Sequence, residues 1–208
     1  TGARVTGLEH AAGRVRAVVL ADGERVELDP GDLVISALPW FALAKLLPDL
    51  SAQSFARLRS SPIVTAYCEL PADAPAPADE GPVVALVRGA PFHFLLRTVG
   101  EPRHRFALLS GGDRWFDGRK VEEIAAMARE QLVRHYPGVA ADRAVIRVRK
   151  EQHATFVPAV GHQRFRPPPG RLAGGPDNLL CCGDWTATGF PATLEGAARS
   201  AERVVAID

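Results

Sequence analysis

The sequence predicts an α/β fold. Residues 179–182 form an apolar run that ends on Gly183-Asp184, and a turn rich in Thr and Gly follows. We expect a helix to open after this turn with Pro191 at or near its first position, where the missing N–H costs nothing. The N-terminal residues 4–37 instead alternate in short runs of β-branched residues, and the apolar residues of 121–136 recur at helical spacing.

The first 39 residues predict a sheet. Residues 4–29 contain three strand-like runs, and the Asp22-Gly23 pair between two of them favours a hairpin. We therefore expect a three-stranded meander. The apolar run 32–37 predicts a fully buried strand that Leu38-Pro39 stops.

The middle of the chain predicts two short helices and then a sheet. The helices are expected over 40–50 and over 51–58, the second with Ser51 as its N-cap. A longer helix over 121–136 ends at Pro137-Gly138. In several of the strands, apolar residues occupy both the odd and the even positions, whose side chains point to opposite faces of the sheet. This predicts that both faces are covered. These strands are expected over 63–70, 83–87, 92–97, 105–110 and 143–150.

Composition excludes several classes of function. The net charge of +1 comes from 25 basic and 24 acidic residues spread along the chain, which argues against a nucleic-acid partner. The three cysteines are too few for a disulfide framework and favour a reducing compartment, so we expect a cytoplasmic protein. The histidines form no helical i,i+4 pair, and we expect no metal site.

One stretch carries a specific resemblance. Gly183-Asp184, followed by residues 191–197 and Ser200, resembles the C-terminal flavin motif of the flavin amine oxidase and phytoene desaturase superfamily. Its form is similar to that of the squalene-associated FAD-dependent desaturases, also called hydroxysqualene dehydroxylases. The chain departs from that form conservatively, at Cys182, Phe190 and Leu194.

The resemblance implies a larger architecture. It implies the C-terminal part of a two-domain FAD-linked oxidoreductase, Rossmann-like with ββα units, which carries an inserted mixed-sheet α+β substrate domain. Residues 1–39 and 166–208 are then expected to belong to the FAD domain and residues 40–165 to the substrate domain. This chain contains no Gly-x-Gly-x-x-Gly motif for the pyrophosphate. We therefore expect a missing N-terminal FAD-domain segment as a partner, and no retention of FAD by this chain alone.

The resemblance also implies cofactor contacts. The backbone of Val5 would meet the adenine, and the turn from Ala37 to Pro39 would lie near the dinucleotide. Asp184 would bind ribityl or pyrophosphate oxygens, and the Leu194 N–H would face flavin N1 and C2=O, where negative charge grows on reduction. The full expected set is Val5, Ala37, Pro39, Gly183, Asp184, Pro191, Ala192, Thr193 and Leu194.

Two absences favour a hydrocarbon substrate over an amine. By the resemblance, amine oxidases commonly keep a Lys near flavin N5 on the strand matching residues 62–70, and this chain has no Lys anywhere between 46 and 119. Thr193 stands at the position of their aromatic cage residue. We expect an isoprenoid substrate that undergoes dehydroxylation of the hydroxysqualene-to-squalene type or desaturation, with peripheral contact at the inner membrane surface. Catalytic residues are not assigned. Expected wall residues, for each of which core packing is the alternative, are Phe41, Phe92, Phe94 and Phe156.

Two alternatives stay open at this stage. The first is a phytoene-desaturase-like or amine-oxidase-like flavoenzyme. The second is a flavin-free lipid-binding protein or partner subunit that keeps the same architecture.

Overall fold

The computed structural model describes residues 2–51, 55–78, 80–87, 91–97, 100, 102–112 and 115–206. The chain divides into two compact units, one made of Thr1–Arg59 with Phe156–Asp208 and one made of Ser60–Thr155. The two units meet along the chain at residues 59 and 155. The core of the first unit includes Trp40, Leu43, Phe55, Phe156, Leu179 and Trp185. The assignment of residues 1–39 and 166–208 to an FAD domain and of residues 40–165 to a substrate domain stays a prediction.

The first unit begins with the predicted meander. Strands β1 (Val5–Ala11), β2 (Arg14–Leu20) and β3 (Arg25–Glu27) pair antiparallel in that order. The hairpin between β2 and β3 turns at Gly23, whose φ of 90° lies in the left-handed region that glycine adopts without strain. The Asp22-Gly23 signal is confirmed.

A second, small sheet joins the two ends of the chain. Strands β10 (Gly170–Arg171), β11 (Leu179–Cys181) and β4 (Val34–Ser36) lie in the order β10-β11-β4, and β11 runs parallel to β4. The prediction that the strand around residues 32–37 is fully buried is wrong, because Ile35 remains 50% exposed. Among the described residues, β4 has a neighbour on one side only.

The helices of the first unit are shorter than predicted. Helix α1 (Trp40–Leu46) ends before Pro48, since the residue preceding a proline is pushed away from helical geometry. Helix α2 (Pro48–Ser51) follows, so Ser51 closes a helix and does not open one. Residues 52–54 of the helix predicted over 51–58 lie outside the described part, and Phe55–Arg57 form a 3-10 turn. Another 3-10 turn covers His162–Phe165, and α4 spans Leu194–Val205.

The second unit is a five-stranded sheet with one long helix. Its strands are β5 (Ser60–Glu69), β6 (Val83–Ala85), β7 (Phe94–Leu96), β8 (Arg105–Gly111) and β9 (Val145–Phe156), in the order β6-β7-β8-β5-β9. Helix α3 (Val121–His135) matches the predicted helical spacing, and a 3-10 turn at Ala141–Arg143 precedes β9.

Among the residues of this unit that the structure describes, one face of the sheet is covered and the other is partly exposed, so the prediction of two covered faces is wrong. Val64, Ala66 and Leu108 on the covered face pack in one core with residues of α3. Their strand neighbours point the other way, and Tyr67 and Phe94 are 53% and 40% exposed. Apolar residues on both parities did not indicate burial on both sides. Within the described part of the chain, no helix combines the length and apolar character needed to cross a membrane.

Candidate functional site

The candidate site lies where two parallel strands end. Because β4 and β11 are parallel, the loops that follow Ser36 and Cys181 leave the same edge of the sheet. The Cys182 N–H donates to the Ser36 carbonyl at 2.9 Å. The indole N–H of Trp185 donates to the Leu38 carbonyl at 3.0 Å. The turn at 37–39 and the loop after β11 are therefore joined by a hydrogen bond, whereas the contact of either with a dinucleotide stays a prediction.

Gly183 is required by the geometry of this loop. Its φ is 141°, and a β-carbon there would lie 2.7 Å from Nε1 of Trp185. Its N–H donates at 2.7 Å to the hydroxyl of Ser200, which in turn donates to the Ala197 carbonyl. One serine therefore holds α4 against the turn that follows β11, which explains the spacing of Gly183 and Ser200 in the motif.

Asp184 presents a half-buried carboxylate. It accepts the backbone N–H of Trp185, and Arg166 contributes a favourable electrostatic interaction. Burial nevertheless outweighs both effects and raises the pKa of the Asp184 carboxyl above its ordinary value. A carboxylate in this setting gains from ligand hydroxyl donors, because they replace the hydration that burial removes.

Helix α4 begins later than predicted. Thr193, in extended conformation, is the N-cap, and its hydroxyl accepts the Gly196 N–H at 3.1 Å. Pro191 therefore precedes the helix and does not occupy its first position, because the hydroxyl of Thr193 satisfies the first turn. The N–H groups of Leu194 and Glu195 have no intrahelical acceptor, and the Leu194 side chain is 92% exposed. Ala192 packs against the core of the first unit.

Arg166 is a site residue that the sequence did not identify. It is 5% exposed, and its guanidinium donates to the carbonyls of Asp184 at 3.0 Å and Phe190 at 2.9 Å. It also donates to the backbone carbonyls of Trp185 and Thr186. The loop between Asp184 and the segment that leads into α4 is thus closed around one cation. Burial lowers the pKa of Arg166, although nearby Asp184 opposes the shift.

The expected adenine side of the site is an apolar groove. Val5 and Ala37 both line a groove of about 330 Å³, together with Leu38. Ser36 also lines it, and its buried hydroxyl finds no hydrogen-bond partner among the described residues. Pro39 precedes α1 as its N-cap residue. The structure brings Val5 and Ala37 together, whereas their contact with a nucleotide stays a prediction.

The four expected wall residues have different surroundings. Phe92 and Phe156 are buried, Phe92 beside Phe116 and Phe156 beside Trp40. Phe41 is half-buried and packs against the core of the first unit. Phe94 alone of the four is exposed, on the open face of the second sheet.

That open face carries two rows of mostly apolar side chains. The strand registers align Tyr67, Ala107, Leu96 and Val83 in one row across β5, β8, β7 and β6. They align Thr65, Leu109, Phe94 and Ala85 in the other. A groove of about 840 Å³ lies on this face, lined by apolar residues of both rows and bordered by Arg97, Arg147 and the Glu69–Arg105 ion pair. Phe94 lies on the same face but outside the lining of this groove.

The fold and this candidate site are typical of the α/β proteins that bind ligands at the carboxyl ends of parallel strands and at a helix N-terminus. The chain belongs to the flavin-containing amine oxidoreductase family, whose profile matches residues 1–207. The sequence-based recognition of this superfamily is confirmed.

Curated relatives are named hydroxysqualene dehydroxylase. The chain is 32% identical to one from Sinorhizobium fredii (strain NBRC 101917 / NGR234) over 180 residues, which cover 86% of this chain and 39% of the relative. It is 31% identical to one from Rhodopseudomonas palustris (strain ATCC BAA-98 / CGA009) over 202 residues, which cover 97% and 44%. The chain therefore spans less than half the length of these relatives.

Solved structures show the same fold. An oxidoreductase from Methanosarcina mazei has a TM-score of 0.64 at 17% identity, with 99% of this chain and 49% of that chain covered. A putrescine oxidase variant has a TM-score of 0.61 at 18% identity, with 97% and 47% covered. The predicted α/β fold class of flavin-linked oxidoreductases is confirmed.

Proposed function

We propose that this chain is the part of an FAD-dependent oxidoreductase that holds one side of the cofactor and the wall of a pocket for a long isoprenoid. Dehydroxylation of the hydroxysqualene-to-squalene type is the first candidate reaction. The family match and the names of the curated relatives support it. The observation that carries the cofactor assignment is the closed loop from Gly183 to Leu194, which presents a carboxylate and a helix N-terminus.

The residues present fit a flavin dinucleotide. Asp184, half-buried and with a raised pKa, is suited to accept hydrogen bonds from ribityl hydroxyls. The free Leu194 N–H and the helix dipole favour a ligand atom on which negative charge develops. The unpartnered Ser36 hydroxyl and the apolar groove beside Val5 suit a flat heterocycle with polar edges. A bound flavin would supply hydride transfer.

The substrate assignment rests on the open face of the second sheet. Its two rows are mostly apolar and its groove is several times larger than a side chain, at about 840 Å³. A polyisoprenoid would bind there through surface burial, at about 0.8 kcal/mol for each CH₂ removed from water. In a dehydroxylation a C–H bond replaces a C–O bond: the reduced flavin would supply the hydride, and the hydroxyl would leave with a proton as water. The site would have to position the carbon and exclude bulk water, and no residue of this chain is assigned to deliver the proton. The chain's own contribution is then to bind, orient and desolvate.

The cysteine content favours a reducing compartment, and on that ground we place the complete enzyme in the cytoplasm. An isoprenoid substrate resides in membranes, so we also propose peripheral membrane contact where the substrate enters. In this proposal the cofactor site is completed by residues of the kind that the longer relatives contain outside their match to this chain.

The substrate class is tested with the complete enzyme under anaerobic conditions. Reduced enzyme is incubated with hydroxysqualene, and oxidised enzyme with phytoene and with a panel of amines, with products followed by mass spectrometry. Squalene formation supports the first candidate. Amine turnover without consumption of either isoprenoid would replace the proposal with the amine oxidase alternative, and an enzyme free of flavin would favour the partner-subunit alternative.

The wall assignment is tested by Phe94→Ala. Loss of this exposed ring is expected to raise KM for the isoprenoid about tenfold with little change in kcat, because burial of the ring contributes to ground state and transition state alike. Val133→Ala is the matched control, since Val133 is 53% exposed on α3. Equal KM values for the two variants would refute the role of this face.

The cofactor assignment is tested by Asp184→Ala. FAD affinity is expected to fall about 10- to 150-fold, from the loss of a charged hydrogen bond worth about 1.5–3 kcal/mol. Flavin absorbance per protein is the measurement. Asp142→Ala, at an exposed position of the second unit, is the control. Unchanged flavin content in Asp184→Ala would contradict the assignment.

A further inference from the structure

The turn that follows β9 carries an apolar tip. Residues 157–160 read Val-Pro-Ala-Val, none of them is buried, and Val160 is fully exposed. The turn has a defined shape, because the Val157 N–H donates to the Arg59 carbonyl at 2.8 Å and Gly161, with a φ of 78°, reverses the chain. A single exposed valine is common on protein surfaces, so the neighbours of this tip decide what it can bind.

Three arginines lie beside this tip. Arg57 and Arg59 line a groove of about 200 Å³ together with Val160 and Phe165. The guanidinium carbons of Arg57 and Arg164 lie 5.2 and 4.8 Å from the centroid of the Phe165 ring. All three arginines are exposed, and among the residues that the structure describes none of them pairs with a carboxylate. Their charges are therefore available to a binding partner.

The sequence around these arginines lacks acidic residues. No Asp or Glu occurs between Asp49 and Glu69, and none occurs between Glu151 and Asp177. The first segment supplies two of the arginines, and the second supplies the third and the tip. The segments that form this surface are therefore positively charged, although the net charge of the whole chain is only +1.

We propose that the 157–160 tip and Arg57, Arg59 and Arg164 form a docking surface for an anionic lipid bilayer. The arginines lie at the level of the lipid phosphates, where the negative surface potential attracts each of them. The tip enters the boundary between head groups and acyl chains, which is the layer where apolar residues of peripheral proteins are buried. The inference rests on the proposed function, because an enzyme that acts on an isoprenoid takes its substrate from a bilayer.

Other occupants fit this surface less well. Single-stranded nucleic acids are held by aromatic side chains that stack on their bases, whereas the tip offers valine, proline and alanine. The ring of Phe165 already contacts two guanidinium groups. A further protein segment would have to bring carboxylates to all three arginines, because an unpaired charge is costly to bury. A bilayer supplies phosphates and an apolar layer together.

The test measures binding to lipid vesicles by sedimentation. This chain and the complete enzyme are each mixed with vesicles of phosphatidylcholine and phosphatidylglycerol at a ratio of about 2:1, or with vesicles of phosphatidylcholine alone. We expect both proteins to bind the anionic vesicles at least about 30-fold more tightly than the neutral ones. Salt at about 0.5 M should release them, because it screens the attraction.

Variants separate the two parts of the surface. Replacement of Arg57, Arg59 and Arg164 together by Gln should weaken binding about 100-fold, at about fivefold for each charge. Val160→Ser should weaken it about tenfold, because the tip loses apolar surface to bury. The control replaces three exposed arginines elsewhere by Gln and should bind nearly as tightly as wild type. Its positions are Arg4, Arg16 and Arg134.

Circular dichroism and melting temperature report whether each variant folds, and the salt dependence of wild type needs no variant. Three results would overturn the inference: equal binding by the two triple variants, binding that ignores anionic lipid, or a complete enzyme that fails to bind. Binding of an RNA oligomer instead of vesicles, abolished in the Arg57, Arg59 and Arg164 variant, would overturn it as well. Vesicle binding is measured without substrate, so an enzyme that binds vesicles but turns over no isoprenoid counts against the proposed function alone.

Discussion

Replacing Arg166 should open the loop that forms the candidate cofactor site. The guanidinium donates to the carbonyls of Asp184, Trp185, Thr186 and Phe190 and to the side chain of Gln163. A buried acceptor that loses its donor costs about 1–3 kcal/mol. Arg166→Met affects several acceptors at once, but two effects reduce the total cost. The carbonyls of the opened loop can bond to water, and the variant no longer has to bury a charged guanidinium.

For Arg166→Met we expect a net loss of about 3 kcal/mol in the free energy of opening this loop, equivalent to roughly 150-fold faster exchange of its protected amides. The amide of Ala187, bonded to the Pro167 carbonyl at 2.8 Å, reports this opening. Hydrogen exchange followed by mass spectrometry of peptides over 184–190 is the assay. This assay measures the opening of the loop itself. Global unfolding is a less direct measure, because a chain of two units need not unfold in one step.

Two further variants separate charge from geometry. Arg166→Lys keeps the charge but offers three donors in place of a planar fork, so we expect intermediate exchange. Arg164→Met removes an exposed arginine that lies over the Phe165 ring at 4.8 Å, worth about 0.5–1 kcal/mol. Equal exchange of the 184–190 peptides in Arg166→Met and Arg164→Met would refute the reasoning.

Three other expectations can be measured on this chain. Gly183→Ala should lower the free energy of unfolding by about 2 kcal/mol or more in chemical denaturation, since its β-carbon would meet Trp185 at 2.7 Å; a neutral effect contradicts the geometry. The raised pKa of Asp184 means that wild type loses stability as pH rises from the ordinary carboxyl pKa through the folded-state pKa, because the unfolded chain ionises first. Asp184→Asn cannot ionise, so its stability relative to wild type should increase over this range. A difference in melting temperature that stays constant with pH would disprove this. Burial raises the thiol pKa of Cys68 and Cys181 to about 12, so both should resist a thiol reagent at pH 8 until the chain unfolds, and rapid labelling of the native chain would show otherwise.

Much of the fold follows from local patterns. The meander was predictable because Asp22-Gly23 fixes a hairpin within a few residues. Helix α3 was predictable because its apolar spacing and its stop at Pro137-Gly138 are both local. Cys181 ends β11 and Cys182 follows it, and the two side chains belong to different clusters, as neighbours in extended backbone do.

The remaining differences concern interactions between distant or competing groups. Pro191 is a residue type that often begins a helix, and Thr193 is one that often caps its N-terminus. In the structure the hydroxyl of Thr193 caps α4, so the helix begins after Thr193. The sequence alone does not show which of the two residues determines the helix start. An apolar strand sequence predicts burial whether the strand has neighbours on one edge or on both. The exposure of Ile35 therefore could not be predicted from the sequence. Arg166 was not identified from the sequence, because its hydrogen-bond acceptors are distributed over residues 163–190. They come close to the guanidinium only in the folded structure.

The order in which the two units are synthesised differs from the order in which they can be completed. The Cys182–Ser36 contact joins positions 146 residues apart. At about 5–20 residues per second, β4 waits roughly 7–30 s for β11 to be translated. The second unit, contiguous from Ser60 to Thr155, leaves the ribosome whole in the meantime and has its own core. We therefore expect the second unit to fold before the sheet of β4 and β11 can form, because β11 is synthesised last of these elements.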